Sequence, residues 1–424
     1  MQKTSTTVSF DGYQKGVIAL LAVVQFTIVL DFMVMAPLGD LLMKTLDLTA
    51  TQFASAVSAY AFSAGIAGLL AAGFADKYDR KKLLLFFYTG FIAGTFMCGI
   101  ANTFDSLFIG RIITGLFAGV LGSVSMAIVT DLFSFQQRGR VMGFVQMAFA
   151  VSQVAGIPVG LYLANIFDWH APFLVIVGFS IVTALIILKF IKPVVKHLEK
   201  GHDVNPLVHL RNTVTTKNYL LPFFTTALLS IGGFMLMPFS TPFIINNVGI
   251  LQEQLPVIYV VTGIGSIIIL PLIGKLSDKA GKYPTFIGGT ILAIIMVIIF
   301  TNLPPIPLWT LIGINTVMFA GIMSRMVPST ALMTAVPRLE DRGAFMSVNS
   351  SLQQISGGVA SVLAGLIIVQ QPGGKLEHFD TLGYVVITVM VICAVLMYFI
   401  NRQVAIKLKA RSAEEHVLVN DVVA

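Results

Sequence analysis

The stretch AGFADKYDRKK, Ala72–Lys82, carries six charged residues in eleven. It stands between two long apolar runs, FASAVSAYAFSAGIAGLLA (Phe53–Ala71) and LLLFFYTGFIAGTFMCGIA (Leu83–Ala101). A looser copy, IGKLSDKAGKY (Ile273–Tyr283), again interrupts apolar sequence, and its Asp278 follows Asp76 by 202 residues. A charged phrase written twice, half a chain apart, in otherwise apolar sequence points to an internal repeat.

The rest of the composition agrees. Of 424 residues, 56% are hydrophobic and 11% charged, against about 25% charged in a soluble domain. Mean hydropathy is +0.88. Such a chain needs lipid as its solvent. The polar opening MQKTSTTVSFDGYQKG leads into an apolar run too long for a cleaved signal peptide. Cys98 and Cys393 lie in apolar segments of different halves, and the histidines show no metal-ligand spacing, so neither a disulfide framework nor a metal site is expected. No phosphate-binding loop, nucleophile–base pair or other cofactor motif is present, so an enzyme is not expected and no cofactor is called for.

Apolar runs long enough to cross a bilayer, about 20 residues each, recur twelve times, which predicts an all-α membrane protein of twelve transmembrane helices. With both termini inside, 23 of the 27 Lys and Arg fall in cytoplasmic loops and tails. Lys44 and Lys375 fall outside, and Arg111 and Arg325 fall within spans. That bias is the positive-inside rule at work. It also accounts for the net charge of +7 without nucleic acid, because the basic residues are spread over every inner loop. A cell (inner) membrane location follows.

The repeat has further landmarks. Phe117-Ala118-Gly119 recurs as Phe319-Ala320-Gly321, offset by 202, and Arg138-Gly139 recurs as Arg342-Gly343, offset by 204. Two six-helix bundles around a central cavity are therefore expected. Residues 1–191 form the first, 192–218 a polar cytoplasmic linker, 219–400 the second and 401–424 a cytoplasmic tail. Parallel repeats of this kind are an alternating-access plan.

These residues resemble the major facilitator superfamily, whose signature between spans 2 and 3 reads G-x-L-A-D-R-x-G-R-K. The second copy matches better, through Gly274, Leu276, Asp278, Lys279, Gly281 and Lys282. The first keeps Asp76, Arg80 and Lys81 but has Ala72 and Asp79 in place of the two glycines. In span 4, LFIGRIITGLFAG resembles L-x-x-x-R-x-x-x-G, with Arg111 and Gly115 in register. In span 5, VAGIPVGLYLA followed by DWHAPF resembles a branch of proton-driven sugar and nucleoside exporters, with His170 where that branch usually has arginine. LDFMVMAPLG in span 1 resembles the same branch's acidic motif, with Asp31 as the acid. Drug:proton antiporters share much of this but usually show G-P-x-x-G-G, a form that Gly156-Ile157-Pro158 breaks. The resemblance implies an inner-face latch of Asp76, Arg80 and Asp131 that holds the outward-open state, with Asp278 and Lys282 as a weaker counterpart.

Read physically, Asp31 is the most informative residue. An acid inside a span costs about 2.5–3.5 kcal/mol on insertion scales and marks a functional site by default. Taking a carboxylate out of water disfavours its charged form, so it can bind and release protons near neutrality. The alternative is a satisfied ion pair that fixes packing. Arg111 lies at similar depth, and a pair with Asp31 would then have to break in one state of a proton cycle. Gly156 and Gly160, with Pro158 between them, suggest either a bend at the interface between the halves or simple close packing. Polar residues inside spans are candidate cavity residues: Gln146, Gln153, Asn315, Arg325, Gln353 and Gln354. Their alternative is to satisfy one another between helices. Pro238 and Pro242 should kink the outer end of span 7, where Met235 and Met237 offer an adaptable apolar wall.

The expectation is a secondary transporter, working as a monomer in the lipid bilayer, that exports a small-molecule substrate in exchange for protons. The substrate classes in view are sugars, nucleosides and drug-like compounds. Uptake of a metabolite on the same fold is the first alternative, and a non-transporting membrane sensor is the second.

Overall fold

The computed structural model describes residues 10–71, 77–195, 198, 206–338 and 341–423. Almost all of them are helical. In chain order the helices are α1 (Gly12–Val34), α2 (Gly39–Thr45), α3 (Ala50–Ala71), α4 (Arg80–Gly99), α5 (Phe104–Leu132), α6 (Phe135–Val151), α7 (Ile157–Ile166) and α8 (His170–Phe190). There follow α9 (Pro206–Thr215), α10 (Lys217–Phe234), α11 (Met237–Asn246), α12 (Leu255–Ala280), α13 (Lys282–Thr301), α14 (Leu308–Ala335), α15 (Arg342–Ile367) and α16 (Phe379–Val423). α9 lies inside the stretch expected to be a polar linker, and α16 continues unbroken past residue 400.

Eleven helical segments are long and apolar enough to cross a membrane, among the described residues. A twelve-helix arrangement is consistent with them. The expected span that is not among the eleven is α15, whose 26 residues are long enough to cross but rich in Ser, Asn and Gln. Its polar and small residues are buried, including Asn349, Ser351, Ser356, Gly357, Gly358 and Ser361. They face other helices rather than lipid, so this helix does not need an apolar surface all round.

Two spans are broken. A π turn, Ser152–Gly156, separates α6 from α7, and Pro158 follows it in the first turn of α7, where its missing N–H costs least. The seventh span divides at Met235–Leu236, with Pro238 in the first turn of α11 and Pro242 within it. The expected kink is thus a break between two helices.

Among the helices up to Phe190, α1 packs on α6 and α8, and α5 packs on α3 and α4. Among those after Lys217, α10 packs on α15 and α16, and α13 and α12 both pack on α14. The two sets meet where α3 lies along α15 and where α12 lies along α7 and the π turn. The close approaches are made by small residues. A Cβ on Gly119 would stand 2.1 Å from the Ala64 carbonyl, and one on Gly365 would stand 2.4 Å from the Ala54 methyl.

The two copies of the charged phrase are built differently. Gly281, between α12 and α13, has φ +96°, a conformation that suits glycine alone. At the corresponding position of the first copy, Asp79 has φ −55° and caps α4, accepting from the Lys81 amide at 2.9 Å. An N-cap needs no left-handed residue, which explains why the first copy dispenses with that glycine.

Candidate functional site

α1 carries Asp31 near its end, and α5 carries Arg111 near its beginning. Antiparallel neighbours bring these two depths together. Arg111 Nη1 donates to Asp31 Oδ2 at 2.8 Å, and both side chains have 0% exposure. Thr95 of α4 donates its hydroxyl to Asp31 Oδ1 at 3.1 Å. The remaining guanidinium nitrogens of Arg111, Nε and Nη2, find no hydrogen-bond partner among the described residues. Instead the guanidinium lies over the ring of Tyr60 on α3, 4.5 Å from its centroid, a contact that stabilises a cation away from water. Tyr60 can stand there because Gly115 has no side chain: a Cβ on it would come within 2.4 Å of the Tyr60 carbonyl. The glycine one turn after Arg111 therefore sets the distance between α3 and α5. Thr114 and Cys98 complete this buried shell, their side-chain atoms 4.0 Å apart.

The residue after Asp31 faces elsewhere, as a 100° step along a helix requires. Phe32 packs on Tyr60 with the rings tilted by 36° and centroids 5.2 Å apart, and meets Phe234 of α10 edge-on at 6.1 Å. It also lines a small cavity between the two sets of helices, shared with Val57, Phe234, Met237, Gln354 and Ser361. The cavity volume is about 10 Å³, roughly the room one water needs.

Of the six expected cavity residues, Gln354 lines this space. Gln146 is exposed on α6, Gln153 sits half-buried in the π turn, and Asn315 and Gln353 are half-buried on α14 and α15. Arg325 is buried between α14 and α13, where its Nε donates to Thr290 at 3.2 Å and its guanidinium lies over Phe286 at 5.5 Å. Gly156 and Gly160 face α1, since added Cβ atoms would meet Leu30 and Val34 at 2.7 and 3.1 Å. Both the π turn and α7 meet α12, and in the π turn Val154 lies against Gly263. His170 bonds the Ala101 carbonyl at 2.9 Å and ties the start of α8 to the end of α4.

At the face where the basic loops lie, Arg80 Nε donates to Asp131 Oδ2 at 3.4 Å, joining the start of α4 to the end of α5. Lys282 pairs with Asp278 at 2.5 Å across the Gly281 turn. Asp76 lies outside the described residues. Backbone from the segment after α8 docks here as well: the Val194 amide donates to Asp79 at 2.9 Å and the Arg80 amide to the Val194 carbonyl at 3.2 Å.

At the opposite face, hydrogen bonds cross between the two sets of helices. Asn246 of α11 donates to Asp40 of α2 at 2.5 Å and accepts from Lys44 at 3.1 Å, while Lys44 also pairs with Asp40 at 2.8 Å. Nearby, Thr51 donates to the Gly365 carbonyl at 2.9 Å and Asn165 to the Gln252 carbonyl at 3.4 Å. A short hairpin, β1 (Val369–Gln370) paired with β2 (Leu376–Glu377), docks beside this clasp. Asn247 exchanges two hydrogen bonds with the backbone of Leu376, at 2.8 and 2.9 Å. None of these contacts was expected from the sequence. Pro372-Gly373-Gly374 is nevertheless a turn signal, and both glycines take positive φ.

Two sets of membrane helices, with an unexposed ion pair inside one of them, meet along a shared seam, an architecture compatible with a membrane transporter. Comparison with known proteins narrows this. The sequence profile described as Major Facilitator Superfamily matches residues 21–360 and 222–422, and the chain belongs to that family. It is 26% identical over 380 residues to the uncharacterized MFS-type transporter YtbD of Bacillus subtilis (strain 168), covering 87% of this chain and 93% of the relative. It is 29% identical over 272 residues to the uncharacterized MFS-type transporter YceJ of the same organism, covering 63% and 68%. A probable sugar efflux transporter of Helicobacter pylori (strain G27) is 23% identical over 277 residues, covering 64% and 69%. Among solved structures, a D-xylose-proton symporter superposes with TM-score 0.73 at 15% identity, covering 91% of this chain and 98% of that one. A bacterial homolog of the human lysosomal transporter Spinster, inward-facing and unoccupied, gives TM-score 0.72 at 16% identity, covering 94% and 98%. These likenesses show the fold. The protein is a multi-pass membrane protein and a secondary transporter of small molecules rather than an enzyme.

Proposed function

We propose that this transporter exports a small organic molecule in exchange for protons, with Asp31 as the proton-binding acid and Arg111 as the group that modulates it. The observation that carries the reading is the Asp31–Arg111 pair, unexposed inside the spans and next to the cavity wall formed by Phe32. A charge pair so placed is costly to bury, which makes it a functional candidate by default. The relative named as a sugar efflux transporter supports the outward direction. The substrate classes in view are those expected from the sequence: sugars, nucleosides and drug-like compounds.

In this reading residues 1–191 and 219–400 are the two moving bundles. The chain sits as a monomer in the inner membrane with both termini cytoplasmic. The clasp of Asp40, Lys44 and Asn246 closes the face expected to be outer. Arg80 and Asp131, paired here at 3.4 Å, belong with Asp76 to an inner latch that holds the outward-open state, and Asp278–Lys282 is its counterpart. Gly156, Pro158 and Gly160 let the fifth span bend against α1 as it does so.

Inside-out vesicles with an acid interior and a pH-sensitive dye test the function. Sugars, nucleosides and lipophilic drugs are added in turn to wild type and Asp31→Asn. Compound-dependent proton efflux in wild type, absent from Asp31→Asn, is the expected result. Equal responses in both would remove Asp31 as the carrier, and silence across the panel would favour uptake.

A further inference from the structure

We propose that the exposed side of α4 binds an anionic phospholipid, with Lys82 holding the phosphate and a groove between α4 and α5 holding an acyl chain. The groove has a volume of about 420 Å³ and is lined by Leu85, Phe86, Thr89, Gly90, Ala93 and Phe117. One missing side chain shapes it. Any side chain at Gly90 would overlap the Phe117 ring, which lies there instead and meets Phe86 at 5.8 Å and Phe87 at 5.9 Å. Phe86, 63% exposed, stands at one end of the recess. Thr89 and Ala93, both exposed, are too small to fill what lies beyond it.

Three observations choose the occupant. First, the groove lies within two spans and its walls are apolar apart from Thr89. Left empty, those walls would forfeit their dispersion contacts, and the bilayer supplies apolar chains to make them. Second, Lys82 stands on the same side of α4, since residues 82, 86, 89 and 93 are all exposed and follow the helical period. Lys82 has no partner among the described residues, whereas its neighbour Lys81 turns to α8 and donates to the Leu188 carbonyl at 2.8 Å. The nearby acid Asp79 is already engaged by the amides of Lys81 and Val194. Third, the depths agree. Gly90 lies eight residues beyond Lys82, about 12 Å along the helix, and so within one leaflet of about 15 Å. A lipid whose phosphate meets the Lys82 ammonium hangs its chain past Gly90. Lys82 is at the end of α4 expected to be cytoplasmic, the leaflet that carries anionic lipid. A second copy of the chain does not fit as well. A two-fold axis along the membrane normal sets Phe86 against Phe86 at one depth, while the recess at Gly90 lies about 6 Å deeper.

The test uses the full chain in lipid nanodiscs doped with a phospholipid that carries a photoreactive diazirine at mid-chain. The probe has either a phosphatidylglycerol or a phosphatidylcholine headgroup, and its adducts are mapped by peptide mass. The anionic probe is expected to label Leu85–Ala93 and Phe117 about fivefold more than the zwitterionic one, the scale of one lysine near an anionic surface. Lys82→Gln should bring that ratio near one, whereas Lys275→Gln, an exposed lysine on α12, should leave it unchanged. Ala93→Phe and Thr89→Phe each fill the groove from its own wall and should cut labelling there several-fold with either probe, with gel filtration as the check on folding. Excess glycerol phosphate should not compete, because the chain is held as well as the phosphate. Equal labelling by the two probes in wild type would overturn the proposal. So would labelling that both filling variants leave unchanged, or competition by glycerol phosphate, which would reduce the site to a free anion. Efficient disulfide cross-linking of Phe86→Cys between two copies would give this side of α4 to a dimer and overturn it too.

Discussion

Arg111 holds Asp31 at 2.8 Å with neither side chain exposed, yet two of the three guanidinium nitrogens lack a hydrogen-bond partner among the described residues. The pair is thus asymmetric. Arginine stays charged in any surroundings, whereas an aspartate left alone can neutralise itself by taking a proton. Removing one partner of a buried pair costs about 3–5 kcal/mol. Asp31→Asn should show that full loss, while Arg111→Leu should lose less than half as much. The double variant Asp31→Asn/Arg111→Leu should recover most of the stability of wild type. Thermal unfolding in detergent decides it, and equal losses in the two single variants would show that the asymmetry has no energetic weight.

The clasp of Asp40, Lys44 and Asn246 predicts a change in conformational balance. Each hydrogen bond is worth about 0.5–1.5 kcal/mol net, so Asn246→Ala should shift the ratio of conformers between about two- and tenfold. Spin labels on Thr45→Cys and Leu251→Cys would straddle the clasp, and the native cysteines are both buried. A longer-distance population should appear or grow in Asn246→Ala. An unchanged distance distribution would mean that the clasp holds nothing.

Asp79 both caps α4 and receives the Val194 amide. Loss of a cap costs about 0.5–2 kcal/mol. Asp79→Ala should therefore free the segment that follows α8, and limited proteinase K digestion should cut between Ile191 and Val195 several-fold faster than in wild type. Cleavage at an unaltered rate would show that this segment is held by other contacts.

Glycines at helix crossings should respond with opposite sign to glycines in open space. Gly119→Ala forces a methyl to 2.1 Å from the Ala64 carbonyl, and overpacking of this kind costs about 1–3 kcal/mol. Gly143, within α6, has nothing near its would-be Cβ. Gly143→Ala should be neutral or stabilise by up to about 1 kcal/mol. The two thermal midpoints, measured side by side, are the check.

Much of the architecture was legible because its signals are local. The membrane spans, the break near Pro238 and the duplicated phrase all follow from composition or from single residues, whereas the stretch read as a polar linker holds α9. Asp31 and Arg111 stood out because charges are rare in apolar spans. α15 was read as a span although its composition is too polar to class it as one, and its packing against α3 and α10 explains why it tolerates those residues. Tyr60, Thr95 and Phe32 could not be picked out, because a hydroxyl or an aromatic ring in a span is as common in packing as in function.

The sequence by itself determined the membrane class, the repeat and the side on which the basic loops are expected, since run length and charge placement are quantities of one dimension. The tertiary structure alone decided that Arg111 reaches Asp31, that Tyr60 supports it, that Gly156 and Gly160 meet α1, and that Asn246 crosses to Asp40. The reason lies in the spans themselves. A helix that is apolar on every side carries no periodicity to tell which face meets which neighbour. Its rotation is settled only when small residues such as Gly115 and Gly119 let particular helices close on one another.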